Sequence, residues 1–383
     1  MKKYFVFASL LLIAAGFCAC DEDNPASEEA TDQRYREILD SYVHSTVVPT
    51  YKALAEAALE MRAANEALKT QPTDENMQRA SDAWMAARIW WEKSEAFLFG
   101  PVGESALDID GHIDSWPLEL ADIQQSIASG GVLTGREAWS LDAEVIGFHV
   151  TEYLLYREGQ SRPAADLSAA ELSYLTAATD ALVWDCVLAY VAWVGEDNVP
   201  TTMKTIFYEN PDVVAHLENN PAYKQFSDRL INATNYSSMA AALAEISDGA
   251  ADIAEEVGVV KIQQPYQSHK VEDVESWYSW HSLDDYKNNI LSIKNAYLGG
   301  VDDQTRTGDK SLSAYIASTN KTLDNQVKSA IEDCLQKIDA IGANGQYSFY
   351  QVVNQQINQA QVDAATDACL ALKQLLTQIS ESL

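Results

Sequence analysis

The sequence contains few basic residues: 26 lysines and arginines stand against 57 aspartates and glutamates, and the formal net charge is −31. Because nucleic-acid phosphates are bound by basic patches, this composition argues against a nucleic-acid partner and against a long contact with anionic lipid. Glycine (17) and proline (10) are also sparse among the 383 residues. No alternating apolar–polar run of useful length appears, which argues against a fold built on β-strands.

Helix-forming residues are abundant, and alanine-rich segments recur along the sequence. The length allows two domains. We therefore predict an all-α protein of two up-and-down helical bundles, residues 34–195 and 196–383, with a cleft between or within them. Residues 102–120 and 261–275 are expected to be irregular, and a helix is expected from Ser282 to about Leu298.

The N-terminus has the layout of a secretory signal peptide. Lys2 and Lys3 precede an apolar run, Tyr4–Phe17, that is too short to span a bilayer comfortably. The run ends near Cys20, which follows a small residue and so resembles the lipidated cysteine of a bacterial lipoprotein. Cleavage at Cys18, or ordinary cleavage, is the alternative. We predict a signal peptide over residues 1–19.

Acidic residues follow Cys20 at once, and the polar stretch over residues 20–33 is predicted to be a flexible tether. Asp21-Glu22-Asp23 resembles the export signal of surface-displayed lipoproteins in Bacteroidetes-type bacteria. The expected location is the cell envelope, on the outer membrane and held there by the lipid anchor only. A plain periplasmic protein is the alternative.

Three cysteines remain after the leader: Cys186, Cys334 and Cys369. An odd number in an exported protein leaves at least one thiol free or paired outside the chain. Cys334 and Cys369 fall on neighbouring predicted helices and could form a disulfide. The more usual interpretation is three buried thiols, since each cysteine has apolar sequence neighbours.

The segment Trp139–Tyr156 is predicted to form the helix around which the site is built. Its apolar residues recur at steps of three and four, and Glu152 falls within that stripe while His149 falls at its edge. Residues three apart are neighbours on one helix face, so an imidazole and a carboxylate point together towards the core. Burying them is costly unless they are paired or bind a metal. Gly147 suggests that something packs close to the backbone there.

The pattern Gly147-x-His149-x-x-Glu152 resembles the signature of the imelysin family, also called the M75 peptidase-like or iron-regulated protein A family. Two further stretches are similar to that family. Trp91–Pro101 resembles a segment that ends in an aromatic-Gly-Pro turn, and Trp277–Gly299 with Ser311-Leu312-Ser313 resembles its C-terminal signature. The resemblance runs from about Arg34 to the C-terminus. It implies two helical domains related by duplication and a link to iron uptake or regulation.

A metal or proton-handling site at His149 and Glu152 is the functional interpretation, because imidazole with carboxylate suits iron or zinc. A buried His–Glu hydrogen bond that only orders the core is the alternative. Glu92 and Glu95 are also three apart, and one of them, more plausibly Glu95, is predicted to face His149 across the bundle. A solvated helix face is the alternative for this second pair.

The resemblance also marks His281 and Asp285 as cleft candidates near a helix start. The competing interpretation of Asp285, which we favour from the residues, is a capping box with Ser282. A loop with alternating acidic residues and one histidine provides a weaker metal candidate, because it does not complete the EF-hand order. That loop contains Asp108, Asp110, His112 and Asp114. His44, His216 and His269 are expected to be surface or structural residues.

Three functions therefore stay open on the sequence. The first is an envelope lipoprotein that binds iron, zinc or an iron-bearing ligand at His149 and Glu152. The second is a metallopeptidase, although Val150 and Tyr153 stand where the zinc-peptidase motifs require other residues. One histidine and one glutamate do not complete a three-ligand zinc site. The third is a ligand-binding or scaffold lipoprotein without catalysis.

Overall fold

A computed structural model describes residues 25–103, 107–130 and 133–383. These residues are mostly helical and contain almost no strand, which confirms the all-α prediction. The predicted signal peptide and the lipidation at Cys20 lie outside the described residues. The division into two domains near residue 195 stays a prediction.

The helices are numbered in chain order. In the first half they are α1 Pro25–Tyr42, α2 Val48–Thr70, α3 Asp74–Glu92, α4 Ile109–Asp114, α5 Leu120–Ala128, α6 Gly135–Trp139, α7 Gly147–Leu155 and α8 Ala169–Val194. In the second half they are α9 Thr201–Phe207, α10 Pro211–Asn219, α11 Phe226–Ile231, α12 Met239–Glu255, α13 Gln264–Ser268, α14 Ser282–Leu298, α15 Leu312–Thr319, α16 Lys321–Ile341, α17 Phe349–Gln355 and α18 Gln359–Ser380.

Shorter elements connect these helices. Two wide π-helical turns are Val43–Val47 and Glu256–Gln263, and 3₁₀ turns are Glu95–Phe97, Ala143–Val145, Ala164–Asp166, Pro221–Tyr223, Val271–Asp273 and Gly308–Lys310. A two-residue antiparallel pair, β1 Tyr156–Arg157 and β2 Gln160–Ser161, closes the turn after α7, with Tyr156 opposite Ser161.

Both π-helical turns precede a proline. Pro49 follows Val43–Val47, and Pro265 follows Glu256–Gln263. Proline lacks the backbone N–H that an α-helix needs, and its ring clashes with the carbonyl four residues earlier. A wider turn relieves both problems without ending the helix. The chain therefore continues as helix through Val48-Pro49.

Four sequence expectations need correction. Residues 25–33 of the predicted tether form the first part of α1. Residues 102–120 contain the helix α4, and residues 261–275 contain the end of a π-helical turn and α13. The predicted helix over Trp139–Tyr156 is divided into α6, a 3₁₀ turn and α7. The backbone is extended at Asp142 and at Ile146, which separates the three segments. Gly147, with a φ of +80°, then begins α7, because that backbone conformation cannot continue a right-handed helix.

The core is continuous across the described chain. Nearly all buried apolar side chains belong to one cluster that includes both halves. Its central helix, α8, is long and apolar enough by composition to cross a membrane, but 89% of its most apolar window is buried inside the protein. Cys186, Cys334 and Cys369 are free, buried thiols.

Candidate functional site

A close backbone contact at Gly147 brings two helices together at the site. A Cβ atom added to Gly147 would lie 2.5 Å from the carbonyl oxygen of Ile113 and 2.9 Å from that of His112. Only glycine permits this approach, which sets the first turn of α7 against the last turn of α4. Asp114, the last residue of α4, is thereby placed beside His149.

His149 is fully buried and lies among three carboxylates. Its Nδ1 is 3.1 Å from Glu152 Oε2, the i,i+3 neighbour expected on one helix face. Its Nε2 is 3.0 Å from Asp114 Oδ1 and 3.7 Å from Glu275 Oε1. Nε2 nevertheless has no hydrogen bond with any described residue. One side of the imidazole is thus fixed, and the other faces two acidic oxygens without a satisfied bond.

Glu152 is held in place by a loop from the second half of the chain. Its Oε1 accepts hydrogen bonds from the backbone N–H of Ser279 at 2.8 Å and from the Ser279 hydroxyl at 2.7 Å. With Oε1 occupied, Oε2 is directed at Nδ1 of His149. The carboxylate therefore fixes the orientation of the ring, as the outer carboxylate does in many histidine metal sites.

Arg88 is the centre of the charged network. Its guanidinium is completely buried and contacts Glu92, Asp114, Glu275 and Asp285. The distance from Nη2 to Glu275 Oε1 is 2.7 Å, and that from Nε to Asp285 Oδ2 is 3.3 Å. Five donors in a fixed fork allow one arginine to contact four carboxylates at once, whereas a lysine has three donors on a single nitrogen.

A second cation, Lys261, lies on the solvent side of the network. Its ammonium is 3.3 Å from Glu275 Oε2, 3.7 Å from Glu256 Oε1 and 3.8 Å from Glu95 Oε1. It lines a cleft of about 290 Å³. The other residues of the cleft wall are Glu95, Leu98, Asp110, Gly111, Asp114, Ser115, Trp116, Glu256, Val260, Asp273 and Glu275.

The surroundings divide the carboxyl groups into two classes. Burial alone would raise the pKa of each carboxyl group. At Glu275 the positive charges of Lys261 and Arg88, with the contact to His149, lower the pKa to about 2. At Asp114 Arg88 and His149 hold the pKa below its usual range. At Glu92 and Glu95 burial prevails and raises the pKa well above normal. Asp114 and Glu275, the two that face Nε2, are therefore the strongly ionised pair.

The same carboxylates change the properties of His149. Burial and the nearby Arg88 both lower its pKa, but attraction to the carboxylates of Asp114, Glu152 and Glu275 outweighs them, so the pKa of His149 is raised. The site thus attracts positive charge at Nε2, as a proton or as a metal ion.

The donor set fits a metal ion. One ligand atom from each of Asp114, His149 and Glu275 lies within 4.8 Å of the others, and the same holds for Glu92, Glu95 and Asp114. The unsatisfied Nε2 of His149 belongs to the first group, which makes it the better candidate. One imidazole and two carboxylates suit Fe(II), Mn(II) or Zn(II).

The predicted pairing of Glu95 with His149 is not what the structure shows. Asp114 and Glu275 contact the imidazole across the bundle. Glu95 lies beyond the end of α3, beside Lys261, and Glu92 pairs with Arg88 and with the amide of Asn289. Both glutamates are buried rather than on a solvated face.

The capping prediction for Asp285 is wrong. His281 is the N-cap of α14 and provides no side-chain cap. The hydroxyl of Ser282 instead donates to the carbonyl of Glu275 at 2.5 Å, and Asp285 accepts from Arg88 and Ser276. Burial raises the pKa of Asp285 to about 6 against the opposing effect of Arg88. His281 is partly exposed, pairs with Asp284, and lines a different groove.

Of the acidic loop, only Asp114 enters the His149 cluster. Asp108 precedes α4 in a left-handed conformation, Asp110 lines the cleft, and Nδ1 of His112 is 3.4 Å from Asp185 Oδ2. Because these residues lie on a short helix, their side chains point in different directions. They form no shared calcium-type loop.

Arg88, Lys261 and Glu275 were missed in the sequence. Arg88 falls on the apolar stripe of α3 with Trp84 and Trp91, which is an available signal, since an arginine in such a stripe needs buried partners. Pro265 is a weaker signal for Lys261. The proline ring clashes with the carbonyl oxygen of Lys261 in a regular α-helix, and this favours the π-helical turn that contains the lysine. No local pattern identifies Glu275.

Comparisons with known proteins identify the family of the chain. A sequence model described as imelysin, peptidase M75, matches residues 47–379. The iron-regulated protein A of Synechococcus elongatus is 25% identical over 333 residues, which cover 86% of this chain and 80% of that protein.

Solved structures of related proteins have a similar fold. A crystal structure described as an iron-regulated protein A precursor, from Parabacteroides distasonis, has a TM-score of 0.76 and 27% identity over 91% of this chain and 95% of that chain. An imelysin-like protein from Psychrobacter arcticum shares the fold, with a TM-score of 0.59 and 16% identity over 91% of this chain and 93% of that chain. On the match to the family model across most of its length, the chain belongs to the imelysin family.

Proposed function

We propose that this protein binds a divalent transition-metal ion, most suitably iron, through His149 Nε2, Asp114 and Glu275. The observation that carries the proposal is Nε2, which is completely buried, makes no hydrogen bond with any described residue and faces two carboxylates. Glu152 fixes the ring from the other side and is a positioning residue rather than a ligand.

The charge of the network supports the same conclusion. Six carboxylates with less than a tenth of their side-chain surface exposed surround two fixed cations, Arg88 and Lys261. The carboxylates are those of Glu92, Glu95, Asp114, Glu152, Glu275 and Asp285. Buried charge of one sign is costly unless it is neutralised. Protons on some of these groups and a metal ion are two ways of supplying the missing positive charge.

The iron preference comes from the relatives. Two proteins that resemble this chain over most of its length are described as iron-regulated. An acidic, helical binding protein fits a role in iron uptake or in its regulation. The ion would supply a Lewis-acid or redox centre, and the residues of this chain bind it, orient the imidazole and restrict water.

Peptidase chemistry receives less support from the site. A zinc peptidase needs a general base directed at the attacking water. Glu152, the motif carboxylate, already accepts two hydrogen bonds at Oε1 and directs Oε2 at His149. It is therefore held as a partner of the imidazole. A chelator-sensitive protease activity that Glu152→Gln abolishes, with the fold retained, would favour the enzyme instead.

The experiment is an anaerobic titration of the purified, metal-depleted protein with Fe(II) and, separately, Zn(II), followed by metal analysis after gel filtration. We expect close to one bound ion per chain, and loss of binding in both His149→Gln and Asp114→Asn. His44→Gln is the matched control, because His44 is an exposed histidine on the protein surface. Circular dichroism checks that each variant is folded. No bound metal in the wild type, or unchanged binding in both site variants, would refute the proposal.

We also propose an envelope location, through lipidation at Cys20. The support is the sequence pattern of residues 1–23, and the test is metabolic labelling with a palmitate analogue in cells that carry the wild type or Cys20→Ala. Label in the wild type alone is expected, and equal label in both would place the lipid elsewhere.

A further inference from the structure

The cleft beside His149 has a strongly acidic wall. Its wall contains six acidic residues and one basic residue, Lys261. The acidic side chains that reach it from the solvent side include Asp110, Glu256 and Asp273. Such a wall attracts cations and repels anions, and low-dielectric surroundings strengthen the effect.

The cleft is large enough for a hydrated ion. Its volume is about 290 Å³, and a divalent cation with six waters needs roughly 200 Å³ at about 30 Å³ per water. The cleft can therefore hold a hydrated cation, whereas an anionic chelate would be repelled by the charge of the wall.

Glu275 connects the cleft to the site. It lines the cleft, its Oε1 is 3.7 Å from His149 Nε2, and its Oε2 is 3.3 Å from the ammonium of Lys261. Oε2 is buried and makes no hydrogen bond with any residue in the described ranges. An ion that arrives through the cleft thus meets a carboxylate whose outer oxygen is balanced only by the charge of Lys261.

Lys261 is itself nearly buried and surrounded by glutamates. We propose that the cleft admits a hydrated divalent cation rather than an anionic chelate, and that Lys261 is an internal counter-ion that limits how tightly the cation is held. This inference rests on the proposed function, since it concerns the same metal site. The ammonium stabilises the metal-free state by neutralising the ionised Glu275, and it repels an incoming ion.

The first test is Lys261→Met, which keeps the apolar stem and removes the charge. Fe(II) supplied as ferrous sulfate under anaerobic conditions is expected to bind about tenfold more tightly, or better, because a like charge within a few ångströms is lost. Lys204→Met is the control, since Lys204 pairs with Glu196 and Asp197 at the protein surface. Equal or weaker binding in Lys261→Met than in the wild type would overturn the role of Lys261.

The second test does not depend on how Lys261→Met folds. In Glu256→Gln/Asp273→Asn, the association rate of Fe(II), followed by stopped-flow tryptophan fluorescence, should fall several-fold at low salt and approach the wild-type rate at high salt. Ferric citrate, an anionic chelate, should not bind the wild type. Unchanged association rates, or ferric citrate binding as tightly as Fe(II), would overturn the cation route.

These experiments distinguish the metal site from the role of its cleft. If the wild type binds no Fe(II), the metal site itself is refuted. If Fe(II) binds and is lost in His149→Gln, but the cleft variants and Lys261→Met behave as the wild type, the site stands and the inference about its cleft does not.

Discussion

Gly147→Ala tests whether the close contact between α4 and α7 builds the site. The added Cβ would lie 2.5 Å from the carbonyl oxygen of Ile113, so one of the two helices must move, at a cost of about 1–3 kcal/mol for overpacking. The φ of +80° adds about 1–2 kcal/mol for any residue with a Cβ. We expect a total loss of about 2–5 kcal/mol in the free energy of unfolding, measured by urea titration.

The matched control is Gly345→Ala. Gly345 has a φ of +92°, but a Cβ there would meet nothing within 4 Å, so only the conformational cost of about 1–2 kcal/mol applies. The difference between the two variants isolates the contact with α4. Because that contact holds Asp114 beside His149, Gly147→Ala should also weaken metal binding, whereas Gly345→Ala should not. Equal losses of stability in the two variants, with wild-type metal affinity in both, would refute the reasoning.

Three further predictions concern charged side chains. Arg88→Met should lower the unfolding free energy by about 3–5 kcal/mol in urea, because it leaves several carboxylates unpaired; a loss under 1 kcal/mol would contradict the network. Glu152→Gln should lower metal affinity about 10–100-fold with the helical circular dichroism retained, and full affinity would exclude its positioning role. At Glu171 partial burial would raise the pKa, but bonds from Ser168 and Arg162 lower it. Its stabilisation is therefore fully present above about pH 4.3 and is lost as the pH falls through the lowered pKa. Glu171→Gln should cost about 0.3–1 kcal/mol at neutral pH and less as the solution is acidified, by urea titration; a cost that does not change with pH would contradict this.

The fold class and the centre of the motif could be predicted from the sequence because both depend on local spacing. Helical periodicity defines most of the helices, and i,i+3 geometry predicts that His149 and Glu152 lie side by side, as they do. Gly147 likewise predicted a close packing contact, and α4 provides it.

The rest of the site could not be predicted, because it depends on contacts between distant parts of the chain. Glu275 follows His149 by more than a hundred residues, and no local pattern relates them. Asp285 was assigned to a helix cap because Ser-x-x-Asp is a frequent local solution. The buried guanidinium of Arg88 provides a stronger partner for that carboxylate. A buried counter-charge stabilises a carboxylate more than a local helix cap does, and only the tertiary structure shows whether such a counter-charge is present.

The π-helical turn Glu256–Gln263 sets the register of Lys261. Each residue of an α-helix rotates the chain by about 100°. Deleting one residue between α12 and Lys261 would therefore rotate the ammonium away from Glu275, while Pro265 would still oppose a regular helix. Insertions in the connecting loops outside this turn would leave the register intact. The number of residues in the turn thus fixes where the ammonium points.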